Sequence, residues 1–211
     1  MRQSPRERRL VADFQALVRL QNESSIFSFH HQGACPELYD VQFRGLGLGQ
    51  LDDGQVVPRD RHQVRIELGS AYPRMIPALS WRTPIFHPNI STNGVVCLGG
   101  YSTYWVPSLK LDELCIMLWD MIRYKNFDVQ SPYNREAALW ARDQSTIEFP
   151  IDGRGLRDRV SGEAPPHIET ADECQVVPPP VLVGGNPKPG RFAHRGGAPC
   201  PTPSAEIVFI D

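Results

Sequence analysis

Lysine is nearly missing from this chain of 211 residues. Three lysines, Lys110, Lys125 and Lys188, stand against nineteen arginines. Codon bias in a GC-rich genome produces such a ratio. A second reading is chemical: a protein carrying an activated acyl group gains from having few amines to capture it, because guanidinium stays protonated and inert. Paired cysteines are missing too. The five, at 35, 97, 115, 174 and 200, are odd in number and include no C-x-x-C, which speaks against a disulfide framework or a zinc site and for a reducing, cytoplasmic setting. No apolar stretch approaches the roughly 18 residues of a membrane span, and no signal-peptide core follows the basic start MRQSPRERRL. A net charge of −2 gives no field that would draw nucleic acid or an anionic membrane. Neither partner is expected, nor a metal or cofactor.

What is present is ordinary for a globular protein. Hydrophobic residues make up 41% and charged residues 22%, enough to bury one core. In residues 4–22, Leu10, Phe14, Leu17 and Val18 recur at helical spacing, with Arg6, Arg8 and Arg9 near the start. SSIFSFHHQ, LYDVQFRGL and RHQVRIELG alternate as strands do, and the glycine-rich GLGLGQLDDGQ between the last two marks a hairpin region. An antiparallel meander of three or four strands is expected. Pro73, Pro77, Pro84 and Pro88 then exclude regular structure from that stretch. LKLDELCIMLWDMIRY places Leu111, Leu114, Cys115, Leu118, Met121 and Ile122 on one face of a helix, with Asp112 and Glu113 in its first turn. Another helix is expected after Pro132. Residues 145–211 hold eleven prolines and eight glycines, too many for a core of their own. The domain is therefore expected at 1–145, with an extended or disordered tail at 146–211.

Chemistry concentrates in HPNISTNGVVCLGG, residues 87–100. A nucleophilic thiol of the protease type needs a base beside it, and His87 in a His-Pro-Asn turn reads as a loop residue instead. A thiol that only accepts an activated acyl group needs less help: it needs a donor for the oxyanion formed when its thioester is attacked, and the amide of Asn89 is such a donor. His30, His31 and Cys35 make a poor metal site, because adjacent residues of a strand face opposite ways.

The run YPRMIPALSWRTPIFHPNISTNGVVCL, followed by a tryptophan and a proline, resembles the core of the ubiquitin-conjugating enzymes. Tyr72-Pro73, Pro77, Trp81, Thr83, His87-Pro88-Asn89-Ile90, Asn93-Gly94, Cys97-Leu98, Trp105 and Pro107 fall on the family's positions in order. SPYNREAA continues the likeness, which covers residues 1 to about 145. The resemblance implies an α/β (α+β) fold: an N-terminal helix, a four-stranded antiparallel meander and C-terminal helices. It implies that Cys97 takes ubiquitin or a ubiquitin-like protein from an activating enzyme as a thioester and passes it to an acceptor amine or a ligase cysteine. Asn89 would hold the active-site loop and help with the oxyanion, His87 and Pro88 would brace that loop, and Arg6, Arg8 and Arg9 would meet the activating enzyme.

Three departures qualify the likeness. Gly99, followed by Gly100, stands where many members carry an acid, and Ser131 replaces another acid before Pro132. Those acids orient the attacking lysine, so Asp128 becomes a candidate for that role alongside Ser131, and transfer to a ligase cysteine, whose thiolate needs no such help, stays open. Arg74 replaces an aromatic that RING-type ligases grip, while Pro107 persists on the neighbouring loop; both are candidate ligase or partner contacts. The arginine-rich composition and the tail resemble bacterial members, some of which belong to antiviral systems. An adaptor of the same fold, binding a ubiquitin-like protein or a peptide without catalysis, is the rival reading.

Overall fold

The structure, a computed structural model, describes residues 3–98 and 105–159. Helix α1 (Pro5–Asn22) starts where its sequence says it should. Ser4 caps it and Glu7 answers in a capping box, with Pro5 in the first turn. The expected stripe turns inward at Leu10 and Leu17, Phe14 packs at its edge, and Val18 stays exposed.

Four strands follow: β1 (Phe27–His31), β2 (Leu38–Gln50), β3 (Val56–Glu67) and β4 (Ala78–Trp81). They form one sheet in the order β1-β2-β3-β4, each antiparallel to its neighbour. Register places Phe27 opposite Phe43 and Val64 opposite both Val41 and Trp81, so one face of the sheet is the core. Two details differ from expectation. The glycine-rich stretch is mostly strand, and the turn is confined to residues 51–55, closed by Leu51 N–H donating to Gln55 O at 2.9 Å. Regular structure also survives among the prolines. Pro77 precedes β4 and Pro84 follows it, so the four residues of β4 lie clear of both and pair with β3.

Helix α2 (Leu111–Ile122) buries Leu111, Leu114, Cys115, Leu118, Met121 and Ile122, the face its periodicity predicts. Each such side chain, fully buried, contributes about 1.5–3 kcal/mol. Trp119 joins them, stacked on Phe43 with centroids 6.3 Å apart. It crosses β2 at Gly45, where an added Cβ would lie 2.3 Å from the indole; only glycine admits that approach. Helix α3 (Arg135–Asp143) is capped by Asn134, whose side chain accepts from Ala137 N–H.

The expected domain end at 145 is too early. Residues 146–159 lie on the domain: Leu156 is buried in the main core, Trp119 Nε1 donates to Arg154 O at 2.9 Å, Asp152 accepts Leu46 N–H at 3.1 Å, and Ser25 N–H donates to Asp158 at 2.6 Å. Arg157 reaches Asp112 and Glu23. Proline and glycine counts do not see such long-range anchors. The rest of the tail, 160–211, lies outside the described residues, as do Gly99 and Gly100. No helix among the described residues is long and apolar enough to cross a membrane.

Candidate active site

The chain leaves β4 and enters two turns that aim Cys97. In the first, Ile90 N–H donates to His87 O at 3.3 Å, and Asn89 N–H to His87 Nδ1 at 3.1 Å. His87 is fully buried against the ring of Tyr124, 4.9 Å between centroids. Burial pushes its pKa down to about 3, so it is neutral and its Nδ1 lone pair is already used. Its ring is thus tied to the turn through Asn89 N–H. In the second turn Gly94 takes φ +83°, and a Cβ there would stand 2.4 Å from Trp81 O. Glycine is required on both counts. Trp81 N–H donates to Gly94 O at 2.8 Å, which ties this turn to β4.

Cys97 follows, half-buried, its N–H donating to Asn89 O at 2.8 Å. The Asn89 side chain points the other way in bonding terms. Its Nδ2 donates to Asp128 O at 2.9 Å and its Oδ1 accepts Asp128 N–H at 2.7 Å. Pro88 O accepts two more amides, Tyr133 N–H at 2.8 Å and Asn134 N–H at 2.9 Å. The His-Pro-Asn turn thus fastens the segment 128–134 alongside the cysteine. The nearby Cys97 pushes the pKa of the exposed Tyr133 phenol up.

The structure brings together Cys97, Asn89, His87, Pro88 and the backbone of Asp128. The Asp128 carboxylate is exposed and accepts Gln130 N–H at 2.7 Å; Ser131 is exposed. Tyr133 had no signal of its own in the sequence except its place, two residues after Ser131 in SPYNREAA.

The arginines at the start of α1 have different fates. Arg8 is exposed. Arg6 pairs with Glu37 and donates to Gly69 O at 3.1 Å. Arg9 turns inward, bonded to Asp13 at 2.7 Å and to the carbonyls of Pro107 and Leu109, and its Nη2 donates to Tyr72 Oη at 2.9 Å. Arg74 and Pro107 are both exposed. The segments that carry them are joined by Trp105 Nε1 donating to Pro73 O at 2.7 Å.

Fold and site together define an α+β domain with a half-buried cysteine, Cys97, at the end of two braced turns. Comparison with known proteins makes this specific. The family model described as ubiquitin-conjugating enzyme matches residues 55–149. Ubiquitin-conjugating enzyme E2 16 of Schizosaccharomyces pombe is 38% identical over 133 residues, 63% of this chain and 73% of that protein. The probable NEDD8-conjugating enzyme Ubc12-like of Arabidopsis thaliana is 30% identical over 86 residues, 40% of this chain and 45% of that protein. Among solved structures, S. cerevisiae Ubc12 matches with a TM-score of 0.53 at 19% identity, over 69% of this chain and 75% of that one, a likeness of fold. The chain belongs to the ubiquitin-conjugating enzyme family.

Proposed function

We propose that Cys97 is the acyl carrier of this family member: it accepts the C-terminal carboxyl of ubiquitin or a ubiquitin-like protein from an activating enzyme and releases it to an acceptor amine or to a ligase cysteine. The observation that carries the reading is the braced thiol. Cys97 is half-buried, held by Asn89 O, and faces a segment pinned to Pro88 and Asn89 by four hydrogen bonds. Bond by bond, the thiolate attacks the activated carbonyl and displaces the activating enzyme's sulfur; the acceptor then attacks the new thioester and displaces Cys97 Sγ. His87 and Pro88 shape the turn, and Asn89 holds the Asp128 loop. Asp128 and Ser131 stand on the segment an incoming amine would cross. Arg8 is the outward basic contact for the activating enzyme, with Arg6 beside it, while Arg9 serves that surface by fixing α1 to the loop at 107–109. Arg74 and Pro107 form the side for a ligase or other partner.

The test charges the protein with an activating enzyme, ATP and modifier, with separate arms for ubiquitin and for NEDD8, the modifier in the name of the Arabidopsis relative. A reductant-sensitive adduct is expected with wild type. Cys97→Ser should convert it to a reductant-resistant ester, and Cys97→Ala should abolish it. No adduct in either arm, from activating enzymes shown to be charged, leaves the adaptor reading in its place.

A further inference from the structure

The two faces of the sheet differ in character. Tyr39, Val41, Phe43, His62, Val64 and Ile66 point into the core, so alternation sends the side chains between them outward. From 40 to 44 and from 61 to 65 every outward side chain is polar, and three of the six are arginines, at 44, 61 and 65. Arg82, exposed just past β4, adds a fourth beside Gln63, whose carbonyl accepts its N–H at 2.8 Å. Asp40 is the one acid among them, and it already holds Arg65 through two bonds of 2.9 Å. Arg44 and Arg61 stand directly opposite each other in the register, a like-charge pair that destabilises a sheet when no anion lies between its members. Among the described residues neither forms an ion pair.

A cavity opens at this pair. The register of β2 on β3 shifts between Arg44 and Gly47, and the bulge leaves a space of about 260 Å³ lined by Arg44, Gly45, Leu46, Asp60, Arg61 and Arg154. Arg154 is set in place beforehand, because the buried carboxylate of Asp152 accepts from it at 3.0 and 2.7 Å. Three guanidinium groups therefore share the cavity with a single lining acid, Asp60. Along β3 the outward rows repeat every second residue: Arg61 beside Arg44, Gln63 beside Arg82, Arg65 beside Asp40. Each row is about 6.6 Å from the next, the same repeat an extended peptide has on one of its own sides.

We propose that this face is a docking site for an extended acidic segment of a partner protein, with alternate carboxylates turned to the sheet. One carboxylate enters the cavity between Arg44, Arg61 and Arg154, and the next meets Arg82. Guanidinium forks suit carboxylates because they bind both oxygens at once. Nucleic acid is the poorer fit: the patch offers no aromatic ring on which a base could stack, and a chain of net charge −2 does not draw a phosphate backbone from a distance. The site is built without Cys97 and does not rest on its carrier role.

The experiment titrates the full chain into a labelled peptide of alternating glutamate and threonine and reads fluorescence anisotropy. Binding is expected, weakening as salt is raised. Arg44→Glu with Arg61→Glu should weaken it by about tenfold or more, whereas Arg19→Glu with Arg142→Glu, an equal charge change on exposed arginines of α1 and α3, should leave it within about twofold. Arg61→Gln should also weaken binding without lowering the thermal midpoint, since it relieves the like-charge pair; this variant keeps the test open if the double reversal fails to fold. A peptide of the same composition with its glutamates in one block should bind more weakly. No binding by wild type, or an equal loss in the Arg19 and Arg142 control, overturns the proposal. So does a block peptide that binds as tightly, or a single-stranded oligonucleotide that binds more tightly than the alternating peptide.

Discussion

Removing the carboxylate of Asp13 should cost more stability than any exposed charge on the domain. The side chain is fully buried, on a helix whose other inward positions are apolar or small. It accepts Arg9 Nε at 2.7 Å, Tyr72 Oη at 2.6 Å and Leu111 N–H at 3.2 Å, so one carboxylate joins α1, the segment before β4 and the start of α2. Asp13→Ala leaves Arg9, with only 16% of its side chain exposed, charged and without its counter-ion. Breaking a buried pair from one side costs about 3–5 kcal/mol. Asp13→Asn keeps an acceptor and loses the charge, for about 1.5–3 kcal/mol. At roughly 2–4 °C per kcal/mol for a domain of this size, the alanine variant should melt about 6–20 °C lower. Urea melts of Asp13→Ala, Asp13→Asn, Arg9→Ala and the double alanine variant test it. The double variant should lose less than the sum of the singles, because no uncompensated charge remains. A loss below 1 kcal/mol for Asp13→Ala, or strict additivity, would refute the reasoning.

Three further outcomes are expected. Burial pushes the pKa of His62 down to about 4 and that of His87 to about 3. The unfolded chain takes up these protons near pH 6.5 and the folded one only near 4 and 3, so stability falls on acidification below about 6.5, by up to about 1.4 kcal/mol per pH unit for each histidine; urea melts from pH 7.5 to 5 that show no slope would contradict this. Gly94→Ala meets Trp81 O and a left-handed backbone, and should lose at least about 1–2 kcal/mol, read as a lower urea midpoint together with slower Cys97 charging. Ending the chain after Phe149 removes Leu156 and the anchors of Asp152 and Arg154; a loss of about 3 kcal/mol or more and a red-shifted tryptophan emission are expected, and a midpoint equal to that of the full chain would show that these contacts contribute nothing.

Local pattern was enough for the elements. Spacing of apolar residues named the buried faces of α1 and α2, and alternation named β1 to β3, because helix and strand periods are properties of the chain itself. The prolines around β4 misled for the same local reason: a strand of four residues fits between two of them only because β3 is there to pair with it.

The site divides in the same way. The turns that lead into Cys97 were legible in HPNISTNGVVCL, where turn residues must recur at fixed spacing to build the loop. What each neighbour does was not legible. Arg9 looks like Arg8 in the sequence, yet one is drawn in by Asp13 and the other left in solvent. Asn89 reads as a loop holder and a donor to substrate, but the partner it holds, the backbone of Asp128, lies 39 positions away. The segment at Tyr133 is placed by Pro88 O, and residues 150–159 are placed by Trp119 and Ser25. The sequence by itself determined the periodic elements and the turn chemistry that leads into Cys97, since these depend on neighbours along the chain. Only the tertiary structure decided which polar group spends its hydrogen bonds inward and which keeps them for a partner, because that competition is settled by residues distant in sequence and adjacent in space.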